Sequence, residues 1–389
     1  MVPMLDLVLV GGGLANGLIA WRLLMTRPDV SFALLEAGPT LGGNHTWSFH
    51  GTDVTPEQLE WLWVLCSRSW PSHDVAFPSA TRRLGGGYHS ILSDDFHFKL
   101  SDRLKDRLRL KARVTELSAT HVTLASGETL EARAVVDGRG FLGPPPWRRG
   151  YQRFLGMEVQ VDRPHGLEVP LLMDGRLEQR GGLRFMYLLP WSEHRLLVED
   201  TSYADEPTLD LPRLRAEIAA YLQGRGLSIV KVVREEQAAL PIPFDGAAPV
   251  LERPVVGVQA GLFHATTGYS LPLAAEVADA FATLPSLDAA SLTRWLQRRA
   301  RRHWASQAFF RVLNRVLFHG VDPQDRVKIF EAFYGHDEAL IARFYAGRMS
   351  ALDMLKVVAR GAPAAPGTRA WRAAAGRFPT VAPATAPES

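Results

Sequence analysis

The sequence predicts an α/β protein that combines a nucleotide-binding domain built on a parallel sheet, an antiparallel-sheet α+β substrate domain and a C-terminal helical region. Three observations predict this fold. The chain opens with an apolar run, three glycines, a helical pattern and a second apolar run, all between residues 5 and 36. Between residues 146 and 240, apolar and polar residues alternate as in antiparallel strands with one covered face. Beyond residue 291 the apolar residues recur at helical spacing.

The opening segment predicts a βαβ unit of the Rossmann type. Leu5–Val10 is too short for a buried helix and is predicted as a strand, which ends in a tight turn at Gly11–Gly13. A helix follows until Pro28, and a second strand at residues 31–35 ends on Glu36. Glycines let the backbone approach a pyrophosphate, the helix N-terminus offers free N–H groups, and the acid binds ribose hydroxyls. The predicted nucleotide contacts are Gly11, Gly12, Gly13, Leu14, Ala15, Asn16, Glu36 and Ala37.

One position departs from the dinucleotide fingerprint G-x-G-x-x-G. Asn16 stands where the last glycine is usual and Gly17 follows it, so the packing of helix on strand has to accommodate a larger side chain. The alternative for residues 5–25 is a membrane span or a signal peptide. Glycine and asparagine breakers and the lack of a basic leader argue against it.

Three later segments are predicted to reach the same nucleotide. The loop after Glu36 carries GGNHTWSF, an apolar strand at residues 134–136 runs into DGRG, and a long helix at about residues 271–284 follows a loop rich in Gly, Thr and Ser. Like the first strand, residues 134–136 form an apolar strand that ends at a glycine, which suits a parallel strand that brings its backbone to the nucleotide. The helix N-terminus is a second place where N–H groups can meet a phosphate or the edge of a cofactor ring. The predicted contacts are Gly43, His45, Asp137, Gly138, Gly140, Gly268, Tyr269 and Ser270.

The composition bounds the class of protein. With 47% hydrophobic and 22% charged residues in a chain of 389, it is typical of a soluble protein with room for two domains. The net charge of +3 is too small to indicate a nucleic-acid partner. The single cysteine, Cys66, excludes internal disulfides and suits the reducing cytoplasm. No metal site is predicted.

The PPPW stretch at residues 144–147 predicts a rigid linker and a domain boundary. The predicted segments are a nucleotide-binding domain at 1–145, a substrate-binding domain at 146–240, a return to the first domain at 241–290, a helical membrane-proximal region at 291–360 and a disordered tail at 361–389. The local predictions are a loop over 37–50, a helix over 56–70, a hairpin turn at Ser126–Gly127, a helix over Leu211–Gly224 and a strand from Pro254.

Several longer motifs run from the start of the chain to about residue 350. They are GGGLANGLIA, GGNHTWSF, GYHSI, VVDGRG, HRLLVEDTSY, VVREEQAALPI, AGLFHATTGYSLPLA, FFRVLNRVLF and LIARFYAGRMS. Through them the chain resembles the bacterial lycopene β-cyclases, flavoproteins with the p-hydroxybenzoate hydroxylase-type fold. The resemblance implies FAD, active in its reduced form with NADPH as electron source. It also implies lycopene and related acyclic carotenes as substrates, and an intramolecular lyase reaction that closes β-ionone rings without net redox change. One departure is Ala265, where relatives often carry proline.

The resemblance places the family's acidic motif on Glu199, Asp200 and Thr201, with Glu199 at the position thought to act as the acid. Glu199 and Asp200 are therefore the predicted catalytic residues. The chemistry also asks for such a group, because protonating an unactivated C=C needs a carboxylic acid kept neutral in apolar, dry surroundings. The apolar residues 196–198 precede Glu199. The alternatives are a solvated strand end, or an acid at Glu158 or Asp174.

Two other classes of protein would share this fold. One is a flavin-dependent isoprenoid reductase or monooxygenase, which would change the mass of its substrate. The other is a non-enzymatic carrier of lipid chains that has lost the flavin.

Residues 291–321 combine several arginines with large aromatic and aliphatic residues and contain no acidic residue. No apolar stretch there reaches the ~20 residues of a membrane span. The pattern predicts an interfacial helix, with rings in the headgroup layer and arginines on an anionic membrane surface, so that a cytoplasmic protein associates peripherally with the membrane. The alternative is a core helix with a solvated basic face, or a nucleic-acid patch.

Overall fold

The computed structural model describes residues 4–365 and 367–377. The strands in these ranges are β1 (Leu5–Val10), β2 (Phe32–Leu35), β3 (Thr46–His50), β4 (Arg68–Trp70), β5 (His73–Phe77), β6 (Ala80–Leu84), β7 (Tyr88–Leu92), β8 (Leu108–Arg109), β9 (Val114–Leu117), β10 (His121–Leu124), β11 (Thr129–Asp137), β12 (Arg148–Val161), β13 (Leu171–Asp174), β14 (Leu183–Ser192), β15 (Arg195–Ala204) and β16 (Ile229–Asp245). The helices are α1 (Leu14–Thr26), α2 (Pro56–Trp63), α3 (Ser93–Leu104), α4 (Leu211–Gly224), α5 (Leu271–Thr283), α6 (Ala289–Ser306), α7 (Ala308–Arg315), α8 (Arg326–Tyr334), α9 (Glu338–Tyr345), α10 (Ala351–Gly361) and α11 (Thr368–Ala374).

The first sheet has the strand order β8-β2-β1-β11-β10-β9 and contains the predicted βαβ unit. Strand β1 pairs in parallel with β2 on one side and with β11 on the other. Leu7 and Leu9 pack on one face with α1 and α5, whereas Val8 and Val10 pack on the other face. Both faces are covered, which is why the strand is apolar at every one of these positions. The predicted hairpin turn at Ser126–Gly127 joins β10 to β11.

The second sheet has the order β16-β12-β15-β14-β13-β5-β6, and its neighbours are antiparallel except for β13 and β5. Helix α4, predicted with the same bounds, packs on one face through Ile218 and Leu222. Side chains of α8 and α9 pack on the opposite face. Strands β5 and β6 come from residues 73–84, so this sheet draws on a part of the chain that was predicted to belong wholly to the first domain.

Some local predictions are wrong. The predicted loop over 37–50 contains β3, which pairs with β7 in a small sheet of order β3-β7-β4. The helix predicted over 56–70 ends at Trp63, after which Arg68–Trp70 forms β4. The strand predicted from Pro254 is reduced to one bridge between Val255 and Asp137, followed by a short 3-10 helix. Strand β16 also continues to residue 245, past the predicted boundary at 240.

The segment predicted as a disordered tail begins in α10 and contains α11, which packs beside residues 316–320. The rest of the predicted tail, 378–389, lies outside the described residues. Among the described helices, none is long and apolar enough to cross a membrane.

Residues 291–321 do not form the single helix that was predicted to lie in the membrane interface. The segment breaks into α6, α7 and a turn of π-helix, and the rings of Phe310 and Phe318 are buried in the protein. Arg311 lies over the ring of Trp304, and Arg315 donates to backbone carbonyls of the second sheet and of α11. These four side chains are occupied within the fold, whereas Arg294, Arg298, Arg301 and Arg302 of α6 are exposed. Contact of this segment with a membrane stays a prediction.

Candidate active site

A cavity of about 1040 Å³ runs between the two large sheets. One end is lined by the turn after β1 and the residues after β2 and β11. The middle is lined by β3, by β14 and β15 of the second sheet, and by the loop before α5. The far end is lined by side chains of the C-terminal helices α7 to α11. The predicted nucleotide site and the predicted catalytic strand therefore open into one space.

The nucleotide end of the cavity has a glycine cradle. Gly11 has a φ of +90°, and a Cβ there would lie 3.0 Å from the backbone of Arg139, so only glycine fits this close approach of β1 to the chain after β11. Gly13 is the N-cap of α1 and provides no side-chain hydrogen bond, which leaves the first N–H groups of the helix free. Leu14 and Ala15 line the cavity at this helix start. A free helix N-terminus beside a cradle of glycines fits a phosphate group.

The carboxylate of Glu36 is fixed at the edge of this cradle. Its Oε2 accepts from the backbone N of Gly12 at 2.7 Å and its Oε1 from the backbone N of Gly38 at 2.6 Å. Gly12 does not line the cavity, contrary to the prediction, and a Cβ on it would lie 2.3 Å from the side chain of Leu41. Glu36 and Ala37 line the cavity, where an acid suits the ribose hydroxyls of a nucleotide.

Asn16 does not face the cavity, contrary to the prediction. It is fully buried, and its Nδ2 donates to the carbonyls of Val10 at 2.9 Å and Gly11 at 3.1 Å. A Cβ on Gly138 would lie 2.4 Å from the same amide, so Asn16 and Gly138 fit together where β1 meets β11. Gly17 instead packs closely on α3, because a Cβ there would lie 2.3 Å from the ring of Phe96.

Asp137 also points away from the cavity. Burial alone would raise the pKa of its carboxyl, but hydrogen bonds from Arg139 and Arg253 hold that pKa below its usual value. The residues that line the cavity here are Gly138, Arg139 and Gly140. Asp137 orients Arg139, a cavity-lining cation within the predicted DGRG segment that was not among the individually predicted contacts.

The middle of the cavity brings together the remaining predicted contacts. Gly43, His45, Gly268, Tyr269 and Ser270 all line it. Burial lowers the pKa of His45, which leaves its ring neutral at neutral pH. Helix α5 starts after Ser270 without a side-chain cap, so a second free helix N-terminus opens into the same space as that of α1.

Glu199 lies at the centre of β15, on the face of the second sheet that forms the cavity wall. Its cross-strand neighbours are Gly156 on β12 and Tyr187 on β14, and Thr201 donates a hydrogen bond to its Oε1. Burial, and secondarily the charge on Glu236, raise the pKa of Glu199 to about 8. At neutral pH the side chain is therefore a neutral carboxylic acid that faces the cavity.

Asp200 does not share this site, contrary to the prediction. Successive residues of a strand point to opposite faces, and Asp200 lies on the face covered by α4. Arg184 binds both of its oxygens, at 2.9 Å from Nε to Oδ1 and 2.6 Å from Nη2 to Oδ2, and also contacts Glu217 of α4. Asp200 is thus part of a buried ion pair between sheet and helix.

The two alternative acids are also occupied elsewhere. Glu158 is buried and paired with Arg195 and Arg234. The carboxylate of Asp174 is bound by Arg176 and by the hydroxyl of Tyr221. Neither of these acids lines the cavity, whereas Glu199 does.

The structure places one further carboxylate at the cavity, that of Glu236 on β16. The sequence prediction passed over it, although a strand of period two through VVREEQ would have set Arg234 and Glu236 on one face and Glu235 on the other. In the described part of the chain, no group of three or more His, Cys, Asp or Glu side chains is placed to hold a metal ion.

The fold defines a class: α/β proteins in which a Rossmann-type βαβ unit faces an antiparallel sheet across a cavity. It is similar to a geranylgeranyl bacteriochlorophyll reductase-like protein from Thermoplasma acidophilum, with a TM-score of 0.60 and 13% identity over 92% of this chain and 97% of that one. It is also similar to the Diels-Alderase PyrE3 of pyrroindomycin biosynthesis, with a TM-score of 0.60 and 16% identity over 89% of this chain and 81% of that one. At these identities the likeness concerns the fold.

The chain belongs to the lycopene cyclase family, since the model of the family described as lycopene cyclase protein matches residues 6–371. The lycopene β-cyclase of Pseudescherichia vulneris is 46% identical over 97% of this chain and 98% of that protein. The lycopene β-cyclases of Pantoea ananas and of Paracoccus sp. are 44% and 42% identical over 94% and 93% of this chain, and over 97% and 95% of their own lengths. The resemblance drawn from the sequence motifs is confirmed.

Proposed function

We propose that this protein is an FAD-dependent lycopene β-cyclase, an intramolecular lyase that protonates the acyclic ends of lycopene and closes them to β-ionone rings. The product with one ring is γ-carotene, and the product with two is β-carotene. The observation that carries the proposal is the neutral carboxylic acid of Glu199 in the cavity that also contains the glycine cradle. Family membership supports the same reaction.

The residues at the nucleotide end fit FAD. The cradle of Gly11 and Gly13 with the free N-terminus of α1 would hold the pyrophosphate, and Glu36 would hold the ribose. Gly268–Ser270, with the free N-terminus of α5, would lie near the isoalloxazine ring. When bound and reduced, with NADPH as electron source, the flavin supplies negative charge that stabilises the carbocation in a dry site.

The protein's own groups supply the acid and exclude water. Glu199 donates its proton to the terminal double bond, and the resulting tertiary cation is attacked by the next double bond to close the ring. Apolar side chains of the C-terminal helices line the far part of the cavity and keep out water that would trap the cation, among them Val312, Leu313 and Leu317. The hydroxyl of Tyr187 is tied to Tyr88 at 2.8 Å, so its ring can serve as wall and stabilise positive charge.

A redox-neutral cyclisation has a direct test. With lycopene in liposomes, under anaerobic reducing conditions in D2O, we expect a product of unchanged skeleton that carries one deuterium per ring, because the donated proton comes from an exchangeable carboxyl. NADPH oxidation should not match the amount of product, since the flavin is not consumed. Product formed with stoichiometric NADPH loss would identify a reductase instead, a monooxygenase would form no product without oxygen, and a protein that purifies without a flavin absorption band would favour a carrier.

The proposed substrate dissolves in membranes, so we propose that this cytoplasmic protein docks peripherally on an anionic membrane. The docking surface consists of α10 and α11. Leu355 and Trp371 are 64% and 76% exposed on it. Residues 351–377 contain one acid, Asp353, which is paired with Arg343, whereas the exposed cations include Lys356, Arg372 and Arg377. Val358, Gly361 and Trp371 of the same surface line the cavity, so a carotene that leaves the bilayer here enters the site.

The docking surface can be tested by removing its exposed apolar side chains. The double variant Leu355→Ser/Trp371→Ser should bind phosphatidylglycerol vesicles more than about tenfold more weakly, because a large apolar side chain contributes about 1.5–3 kcal/mol when it leaves water. The control is Phe98→Ser on α3, where an equally exposed ring lies outside the docking surface. Equal vesicle binding by the two variants at low salt would show that membrane contact lies elsewhere.

A further inference from the structure

Two carboxylates face each other across a glycine in the wall of the cavity. Strand β12 lies between β15 and β16, and Gly156 of β12 pairs with Glu199 on one side and with Glu236 on the other. Residues directly opposite each other in a sheet point to the same face, and both glutamates line the cavity. Because Gly156 has no side chain, no side chain of β12 stands between the two carboxyl groups.

The side chain of Glu236 packs closely over Gly156. A Cβ on Gly156 would lie 3.0 Å from Cγ and 3.5 Å from Oε1 of Glu236, and 3.3 Å from the side chain of Leu197. Any larger residue would therefore press on Glu236. The Oε1 atom of Glu236 is thus directed over Gly156, towards the strand that carries Glu199.

The two carboxyl groups have opposite surroundings. Oε2 of Glu236 accepts from the guanidinium Nη1 of Arg234 at 2.8 Å and from the hydroxyl of Thr46 at 3.0 Å, so both of its partners there are donors and one of them is a cation. Glu199 is bonded to the neutral hydroxyl of Thr201 through Oε1, which leaves its Oε2 to carry a proton. One group is suited to give a proton and the other to take one, and environments that differ in this way separate an acid from a base.

The proposed reaction requires both roles within one ring. After Glu199 protonates the terminal double bond and the ring closes, the cation lies beside the ring carbon that bears the polyene chain. Loss of the proton from that carbon gives the conjugated β-ring, whereas loss from the other ring neighbour gives the unconjugated ε-ring. A base in a fixed place therefore determines which ring forms.

We propose that Glu236 is the base that removes the proton from the chain-bearing ring carbon and returns it over Gly156 to Glu199. This inference rests on the proposed cyclase function. The electron pair of the broken C–H bond forms the ring double bond, and the proton moves to Oε1 of Glu236 and then to the Glu199 carboxylate, which restores the acid. The restored carboxyl exchanges its proton with solvent before the next ring closes. Protons and charge balance without an external acid or base.

The test compares Glu236→Gln with Glu235→Gln. A glutamine side chain in place of Glu236 cannot accept a proton, so turnover should fall at least about 10²-fold with flavin retained. Glu235 is the neighbouring residue on the opposite face, where it pairs with Arg215, and its variant should keep normal turnover. Two readouts separate a base from a structural role. Lycopene deuterated at the chain-bearing ring carbon should show a primary isotope effect in Glu236→Gln that the native protein lacks, and ε-rings should accompany β-rings.

Normal turnover in Glu236→Gln would overturn the inference. So would reduced turnover with only β-rings and no isotope effect, because Glu236 would then merely hold its neighbours in place. If Glu236→Gln loses its flavin, Glu236→Asp is the deciding variant. Aspartate keeps the negative charge, but its shorter side chain moves the carboxylate oxygen away from the substrate, so the primary isotope effect should still be seen. Failure of the cyclase function itself looks different, because the native protein would then form no ring at all.

Discussion

Glu199→Gln should lower the rate of lycopene cyclisation at least about 10²-fold, the loss typical of removing a general acid, while the protein keeps its flavin. Glutamine has the same size and can still accept from Thr201, but it has no proton to donate. Cyclisation of lycopene in anaerobic liposomes measures the rate, and flavin absorption measures the bound cofactor. Turnover near normal in this variant would remove Glu199 from the role of acid.

The matched control is Asp200→Asn, one residue further along the same strand. Asp200 faces α4 and pairs with Arg184, so its variant leaves a buried guanidinium with a weaker partner. We expect the free energy of unfolding to fall by about 3 kcal/mol, as for other broken buried ion pairs, with turnover per folded molecule retained. If Glu199→Gln and Asp200→Asn lose turnover equally, the two carboxyl groups act together. That result would contradict their positions on opposite faces of β15.

The pH dependence of Glu199 gives the same prediction a second measurement. The pKa of about 8 means that the acid is protonated below that pH, so turnover should be constant there and fall about tenfold per unit above it. The folded pKa lies above the ordinary value for glutamate, so the unfolded chain releases this proton first. The stability of the fold should therefore decrease as the pH rises from that ordinary value to about 8. Glu199→Gln should abolish both dependences.

The sequence predicted best where local pattern and tertiary environment agree. Leu5–Val10 is apolar on both faces because helices and a second layer cover it, and a short apolar run before glycines already indicates that. Leu211–Gly224 has its cap at Asp210, its Pro at the start and an apolar stripe, and its bounds were predicted without error. Such elements carry their own boundary signals.

The wrong predictions concern contacts between distant parts of the chain. The sequence around residues 73–84 does not show that β5 and β6 join the second sheet. That pairing depends on β13, a strand far along the chain, whose free edge β5 pairs with. Asn16 and Asp137 have residue types that suit a ligand, but both are satisfied by backbone or arginine partners from other segments. Phe310 and Arg311 likewise suit a membrane until the helices around them are placed.

The opposite faces of Glu199 and Asp200 could have been inferred from the strand alone. The run LLVED was predicted as a strand, and the side-chain period of two puts adjacent residues on opposite faces. Grouping both as catalytic followed the motif rather than the geometry. The same period applied to β16 would have placed Glu236 on an inner face together with Arg234, and would have found the second carboxylate of the cavity.

Gly13→Val should abolish flavin retention without unfolding the protein. Gly13 has φ −75° and ψ −176°, an extended conformation that any residue adopts, and the nearest atom to a Cβ there is the carbonyl oxygen of Gly138 at 4.0 Å. The valine therefore finds room in the fold, and its side chain occupies the part of the cavity beside the free N–H groups of α1, where the pyrophosphate of FAD would lie. Flavin absorption after purification and the thermal unfolding temperature measure the two outcomes separately.

The position of the glycine makes this test specific to the cofactor. Gly11→Ala would be a poor choice, because its φ of +90° and the contact with Arg139 mean that an alanine there strains the fold itself. The control is Gly143→Val, at an exposed glycine that does not line the cavity and has no atom within 4 Å of its Cβ position, so this variant should keep its flavin. A Gly13→Val protein that purifies with a full flavin spectrum would show that the cofactor does not lie in the cradle at the start of α1.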